Sequence, residues 1–217
     1  SGVAVANYAN IRPTQYLIGK YKEFNDPRLG QNYVSINGDF KGVIFGENMI
    51  KDEYAAVNTS ALKGPNENGN QPAGIIKSFN QSIVLISLAE SNFLRAEAVE
   101  RDWITGIASQ LYQSGIQASF NYLFNVTHYN IQSYINQTNV NYASATNKIE
   151  RIITQKWLSL NNINNIQSWN DFRRLGYPNF PNSVSSPVPN GYPLRFMYPE
   201  TEINTNNQNV VSQGDNG

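Results

Sequence analysis

The sequence contains no cysteine, and this absence removes several kinds of site at once. Without thiols the chain cannot form disulfides, zinc–thiolate centres or a cysteine nucleophile. An excess of positive charge is also missing, because 16 Lys and Arg residues balance 16 Asp and Glu residues. Proteins that bind nucleic acids carry a basic face or stripe, so the balance argues against a nucleic-acid partner.

Long apolar runs and a translation start are absent as well. The longest apolar stretch covers residues 83–89, far fewer than the roughly 18 residues that a bilayer-spanning helix needs. The first methionine is Met49, and no charged region followed by an apolar one marks a signal peptide. We therefore expect a processed product, an engineered piece or a fragment of a longer protein, and favour the fragment.

The residues that are present suffice for a folded core. Hydrophobic residues make up 40% of the 217 positions and aromatic residues 12%. Such a chain is long enough for one domain or part of a larger one. Its patterns predict three parts within a single unit over 1–217: a loop-rich irregular segment over 1–80, helical hairpins over 81–178 and an extended tail over 179–217.

Apolar residues at helical spacing predict a mainly α fold. The expected helices cover residues 82–100, 105–125, 144–160 and 165–176, with the first two packed as a hairpin. Gly176 stands where a helix commonly ends in a left-handed residue, and Pro178 prevents continuation. Fold class and hairpin pairing therefore follow from periodicity and from the residues that end helices.

The first predicted hairpin carries a degenerate tetratricopeptide-like pattern. Ala96, Ala108, Tyr112 and Gly115 reproduce the spacing of its small, small, aromatic and small positions. The Trp, Leu and Pro positions of the pattern are not matched. Since one such unit cannot bury its apolar face alone, we expect neighbouring helices to cover it.

Two carboxylates are candidates for catalysis. Glu90 and Glu97 lie two helical turns apart, hence on one face, and could form a glycosidase pair. The favoured alternative is structural: Glu97 pairs with Arg101 one turn later, and Glu90 meets a basic residue across the hairpin. No residues that would form a nucleophile loop accompany the pair.

The remaining charged or glycine-rich motifs also have structural interpretations. His128, the only histidine, is expected at the surface. The Asp171–Arg174 motif could grip an anion, but we favour arginines that tie the last helix to the tail. Asp26 and Asp39 lack the spacing of a calcium loop, and residues 64–70 lack the lysine of a phosphate-binding loop. We therefore assign no catalytic, cofactor-binding or metal-binding residue.

Aromatic residues are the better candidates for ligand contact, because sugars stack their C–H faces on rings and bond to neighbouring amides. Trp157 and Trp169 lie on apolar helix stripes and are expected in the core, whereas Trp103 at the hairpin turn could be core or surface. Other aromatic residues lie in predicted loops, where a stacking platform could form, and the sequence does not choose among them: Tyr33, Phe40, Phe45, Tyr54, Phe180 and Tyr192. The ligand-binding residues therefore remain unknown at this level.

Several segments, in order, resemble the SusD/RagB family, in particular its SusD-like branch. The resemblance runs from Asp26 to the segment 204–210 and rests on the following stretches: Asp26-Pro-Arg-Leu29, the helix motif over 88–98, Leu111-Tyr-Gln-Ser-Gly-Ile-Gln-Ala-Ser119, Ile153-Thr-Gln-Lys-Trp-Leu158, the Trp169–Pro178 block and the Pro193–Glu200 segment.

This resemblance implies a lipid-anchored protein outside the outer membrane that closes a SusC-like TonB-dependent transporter. Such proteins capture glycans, or sometimes peptides, without cleaving them and without a cofactor. The signal peptide and the anchoring cysteine of the family are not in this chain, and no binding residue is carried over. We expect a neutral oligosaccharide ligand because the total charge is balanced. The alternatives are a tetratricopeptide-like protein-interaction module without a glycan ligand and, third, a glycoside hydrolase.

Overall fold

A computed structural model describes residues 7–47, 51–65, 74–185, 192 and 198–213. Within these residues the secondary structure is helical, with isolated β-bridges but no strands. Short 3-10 turns cover Asn7–Asn10 and Asp52–Tyr54. The α-helices are α1 (Gln15–Glu23), α2 (Arg28–Asn32), α3 (Leu88–Glu100), α4 (Ala108–Phe124), α5 (Gln132–Ile135), α6 (Lys148–Leu160), α7 (Asn165–Leu175), α8 (Glu200–Thr205) and α9 (Asn207–Ser212).

The four helices predicted from periodicity correspond to α3, α4, α6 and α7, which confirms the mainly α fold. Their first residues differ because capping side chains decide where a helix begins. Ser87 accepts a hydrogen bond from the backbone of Glu90 at 3.0 Å, so α3 begins at residue 88 rather than 82. Asn147 caps α6 in the same way. As predicted, Gly176 terminates α7: it follows Leu175, the last helical residue, with a left-handed φ of 73°.

Two helices lie inside the segment that was expected to be irregular. Helix α1 begins where Thr14 accepts a hydrogen bond from the backbone of Leu17. Its inner face buries Leu17, Ile18 and Tyr21, but nine residues are too few for a clear periodic signal. The interpretation of residues 1–80 as irregular is therefore wrong for α1 and α2, and the tail that was expected to be extended contains α8 and α9.

Helices α3 and α4 pack as the predicted hairpin. Phe93 and Ala96 on α3 and Tyr112 on α4 have no exposed surface. Gly115 allows the close approach, since a Cβ at this position would lie 2.8 Å from Cζ of Phe93. The small residues of the tetratricopeptide-like pattern therefore act as expected, by letting a large ring fill the hairpin.

Helix α6 packs against α3 and α4 and closes the core. A buried polar cluster joins it to the start of the chain. Arg28, with no exposed side-chain surface, donates to both carboxylate oxygens of Asp26 and to Oε1 of Gln155 at 3.0 Å. The hydroxyl of Tyr134 donates to Asp26 at 2.8 Å. The Asp-Pro-Arg motif thus fastens α2 to α5 and α6.

Ion pairs hold α7 in place. Lys156 on α6 lies 2.8 Å from a carboxylate oxygen of Asp171 on α7. Arg174, also on α7, bonds Glu97 on α3 with both Nη atoms and lies 2.7 Å from Asp171. These contacts fix α7 against both α6 and α3. The aromatic face of α7 is therefore held next to the end of α6.

In the described part of the chain, none of the helices is both long and apolar enough to cross a lipid bilayer.

Candidate ligand-binding cleft

A cleft of about 780 Å³ opens between the start of α1, the end of α6, the start of α7 and two loops. One wall consists of residues 11–17, and the loop over 43–45 lies next to it. The backbone N–H of Gln15 donates to Val43 at 2.8 Å, and that of Val43 donates to Pro13 at 2.9 Å. Gly42 permits this contact, because a Cβ there would lie 2.5 Å from the backbone of Thr14.

The opposite wall is formed where α6 turns into α7. Asn162 adopts a left-handed φ of 56° in this turn, and its backbone N–H donates to the side chain of Asn165 at 3.0 Å. The turn places Trp157 of α6 and Trp169 of α7 at the same cleft. Both indoles are half-buried, so the expectation that they are fully buried in the core is wrong. Trp157 packs on the edge of the hydrophobic core and also lines the cleft.

Aromatic rings line the cleft as a connected group. The ring of Trp157 lies 5.8 Å from Tyr16 and 5.4 Å from Phe180, measured between centroids. Trp169 lies 6.4 Å from Tyr192. Phe172 links the two sets, with its centroid 5.1 Å from that of Phe180 and 4.6 Å from that of Tyr192. Rings at such tilted and edge-on angles support one another and hold their faces in place.

The six loop aromatics divide into residues at the cleft and residues away from it, and a ligand platform among the first group stays a prediction. Tyr33, Phe45, Phe180 and Tyr192 line the cleft. The other two members do not: Tyr54 is buried, and Phe40 packs on the hydrophobic core.

Trp103, which could have been core or surface, is 69% exposed at the hairpin turn and lies outside the cleft. The guanidinium carbon of Arg101 lies 5.4 Å from the centroid of its ring.

Asparagine amides form the polar end of the cleft. Asn161 and Asn162 each donate to the hydroxyl of Tyr33, at 2.8 Å and 3.1 Å. Burial raises the pKa of Tyr33 to about 12, although these two hydrogen bonds act in the opposite direction. The hydroxyl therefore stays protonated at neutral pH, and its network orients the amides before any ligand arrives.

Several hydrogen-bond donors at the cleft have no protein acceptor within the described residues. These are the indole N–H groups of Trp157 and Trp169, the side-chain amide of Asn165 and the Nη2 group of Arg12. Partly buried indole N–H groups ordinarily find an acceptor. In contrast, none of the described side chains lining the cleft is Asp or Glu. The cleft is suited to hold a molecule that offers apolar faces and many acceptor oxygens.

Arg12 and Tyr16 were not anticipated as site residues. Arg12 donates from Nε to Thr59 at 2.9 Å and from Nη1 to the carbonyl of Ala9. Burial lowers the pKa of Arg12 from its usual value, and burial raises that of Tyr16 to about 12, with the charge of Glu23 acting in the same direction. Both residues belong to the segment that was expected to be irregular, so no periodic signal marked them.

The carboxylates considered for catalysis have other roles. Glu97 accepts from Arg101 at 2.8 Å, as predicted, and from Arg174 on α7. Burial alone would raise the pKa of Glu97, but the hydrogen bonds from Arg174 and Arg101 outweigh it and hold the pKa below its usual value. Glu90 is buried and accepts from the amide of Asn164 at 3.5 Å. The expected basic partner of Glu90 is not found among the described residues, so that part of the prediction is wrong.

In the Asp171–Arg174 motif, Arg174 joins helices within the described residues. Arg174 bonds Glu97 and Asp171, which corrects the prediction that it ties α7 to the C-terminal segment.

The other candidate residues lie away from the cleft. His128 is exposed, as expected. Asp26 pairs with Arg28, and Asp39 pairs with Lys22 at 2.6 Å. Of the glycine-rich segment 64–70, residues 66–70 lie outside the described part of the chain. Within that part, no three His, Asp or Glu side chains are grouped as metal ligands would be.

The fold is shared with solved SusD homologues and with a solved chitin-binding protein. A SusD homologue from Bacteroides fragilis is 26% identical with a TM-score of 0.69, over 91% of this chain and 46% of its own. A second SusD homologue from that species has a TM-score of 0.74 at 21% identity, over 98% of this chain and 51% of its own. A chitin-binding protein has a TM-score of 0.70 at 23% identity, over 95% of this chain and 48% of its own. At 21% and 23% identity, the second and third of these proteins show a shared fold alone.

The chain thus spans about half the length of these solved structures. No curated protein is significantly similar to it. A family model covers residues 4–199, nearly the whole chain, including every wall of the cleft. The chain therefore belongs to the SusD-like family, which is described as starch-binding and associating with the outer membrane.

Proposed function

We propose that this protein captures a glycan at the bacterial surface without cleaving it. The observation that carries the proposal is the cleft, which pairs the faces of Trp157 and Trp169 with indole and amide N–H groups that lack acceptors among the described residues. Sugar rings offer the complementary surface, because their C–H faces stack on aromatic rings and their oxygens accept hydrogen bonds. Membership of a starch-binding family supports the same ligand class.

The proposal excludes catalysis on the chemistry of the site. Glycoside hydrolysis uses two carboxyl groups that flank the scissile bond. The described residues lining the cleft include no carboxylate, and Glu97 is held by Arg101 and Arg174 away from it. The described lining of the cleft therefore offers groups for binding a sugar but no carboxyl group for protonating a leaving group.

We further propose that the captured glycan passes to a SusC-like TonB-dependent transporter and that the full-length protein is held at the outer membrane by a lipid anchor. The outer-membrane association of the family supports this placement. The alternative, a protein-interaction module without a glycan ligand, draws on the tetratricopeptide-like α3–α4 hairpin, whose exposed Trp103 could contact another protein.

Isothermal titration calorimetry against a panel of neutral and acidic oligosaccharides tests the proposal. We expect saturable binding of at least one glycan and no release of reducing ends by the purified protein. A Trp157→Ala, Trp169→Ala double variant should lose that binding, whereas Trp103→Ala, which removes an indole outside the cleft, should retain it. If no glycan binds, the interaction-module alternative is favoured. Glycan cleavage that disappears in Glu90→Gln or Glu97→Gln would establish a hydrolase instead.

A further inference from the structure

We propose that the cleft prefers an acidic oligosaccharide, one with a hexuronic acid whose carboxylate binds Arg12. This inference rests on the proposed function and names the ligand class of the same site. It departs from the neutral ligand that the balanced total charge predicts, because charge is not balanced locally in the cleft.

Arg12 is fixed in place and still has donors to offer. Its Nε and Nη1 atoms are engaged by the side chain of Thr59 and the carbonyl of Ala9. These contacts hold the plane of the guanidinium at the cleft wall beside residues 13–17. The N–H groups of Nη2 have no acceptor among the described residues. A guanidinium that is already oriented loses little freedom when it binds an anion.

The positive charge of Arg12 is not compensated within the described structure. Some other arginines have carboxylate partners: the buried Arg28 pairs with Asp26, and Arg174 pairs with Glu97 and Asp171. Arg12 makes no ion pair in the described residues, and the described cleft lining contains no Asp or Glu. A partly desolvated charge without a partner is a cost that a bound anion would remove.

A uronic acid satisfies the two features of the cleft together. Its ring keeps the apolar C–H face that stacks on Trp157 or Tyr16, and its carboxylate supplies strong acceptors for Arg12. A simple inorganic anion would leave the aromatic faces uncovered. A neutral sugar would cover the rings but leave the charge of Arg12 without a counterion.

The sharpest test changes only the ligand. Oligosaccharides of galacturonic, glucuronic and mannuronic acid are titrated into the 217-residue protein, each beside its methyl ester, which keeps the ring and linkage but removes the charge. We expect at least one acid to bind about tenfold more tightly than its ester, as one charge-assisted contact allows. Added salt should reduce that difference.

Variants of the protein provide the second comparison. Arg12→Gln should abolish the preference for the acid over the ester, whereas Arg12→Lys should retain part of it. The matched control is Arg95→Gln, which removes the same charge from an exposed position on α3 outside the cleft, and it should leave the preference intact. Because Arg12 also bonds Thr59, circular dichroism must first show that each variant is folded. If Arg12→Gln does not fold, the acid–ester comparison on the unaltered protein decides.

The outcomes separate this inference from the function on which it rests. If glycans bind but acids and esters bind equally, the acidic ligand is excluded while glycan capture stands. If the preference for the acid persists in Arg12→Gln, Arg12 is excluded as the residue that binds the carboxylate, while glycan capture again stands. If neither the acids nor the esters bind but a neutral glycan does, this inference fails and glycan capture stands. If no glycan binds, neutral or acidic, the proposed function fails and this inference fails with it.

Discussion

Gly115 of α4 faces the ring of Phe93 of α3 so closely that a Cβ at residue 115 would lie within 2.9 Å of three of its ring atoms. Phe93 is fully buried, so the ring has no room to move away. We expect Gly115→Leu to lower the free energy of unfolding by about 1–3 kcal/mol through overpacking. Gly115→Ala should also destabilise, although alanine is the better helix former by about 1 kcal/mol.

Gly19 provides the matched control, because it lies within α1 and a Cβ there would meet nothing within 4 Å. Gly19→Ala should therefore stabilise the protein by about 0.5–1 kcal/mol. Urea denaturation monitored by circular dichroism measures both changes. If Gly115→Ala stabilised the protein as much as Gly19→Ala, the close packing of the α3–α4 hairpin would be contradicted.

The buried pair of Arg28 and Asp26 should contribute far more to stability than an exposed pair. Arg28→Met would leave the Asp26 carboxylate buried without its partner, at a cost of about 3–5 kcal/mol. Lys22→Met removes the partner of Asp39 from an exposed pair and should cost less than about 1 kcal/mol. Chemical denaturation compares the two variants. Similar losses of stability for both variants would show that burial does not increase the contribution of the Arg28–Asp26 pair.

Glu97 should make stability depend on acid pH. Its pKa is held below the usual value of 4.5, because the hydrogen bonds from its arginines outweigh the opposing effect of burial. Its contribution is therefore fully present above pH about 4.5, the unfolded-state value, and is lost as pH falls through the lower pKa of the folded state.

Glu97→Gln should lower the free energy of unfolding by about 1.5–3 kcal/mol at pH 7. Below pH about 4.5, the stability of this variant should fall less steeply than that of the unaltered protein. Thermal melts from pH 3 to 7 measure this difference. Glu53→Gln, at an exposed residue, serves as the control and should leave the pH profile unchanged. Parallel profiles for Glu97→Gln and the unaltered protein would argue against the Arg174 contact.

Trp157 should matter more for binding than for stability. Because its indole is half-buried at the cleft, Trp157→Ala should cost less than the roughly 3–5 kcal/mol typical of a core tryptophan. Affinity for the glycan found by calorimetry should fall at least about tenfold, since stacking and apolar contact are lost together. Trp157→Phe should retain part of the affinity. A large loss of stability with unchanged affinity would instead indicate that Trp157 acts as a core residue.

The local pattern of the sequence determined four of the helices and how the first two of these pack. Apolar spacing located α3, α4, α6 and α7, and the small residues Ala96 and Gly115 indicated where the hairpin closes. The order of the family motifs, among them Asp-Pro-Arg from Asp26 and Trp-Asn-Asp-Phe-Arg-Arg from Trp169, predicted the fold correctly. These features are local in the chain, so one sequence is enough to recognise them.

Only the tertiary structure decided where the cleft lies and which residues reach it. Trp157 and Trp169 have the spacing of core residues, yet the turn at Asn162 directs both toward a cavity. Arg12 comes from a segment without periodicity and becomes part of the site because the start of α1 pairs with Val43. A helical stripe shows which face is apolar but not what covers that face. What covers it is decided by contacts between residues far apart in the chain, which periodicity does not record.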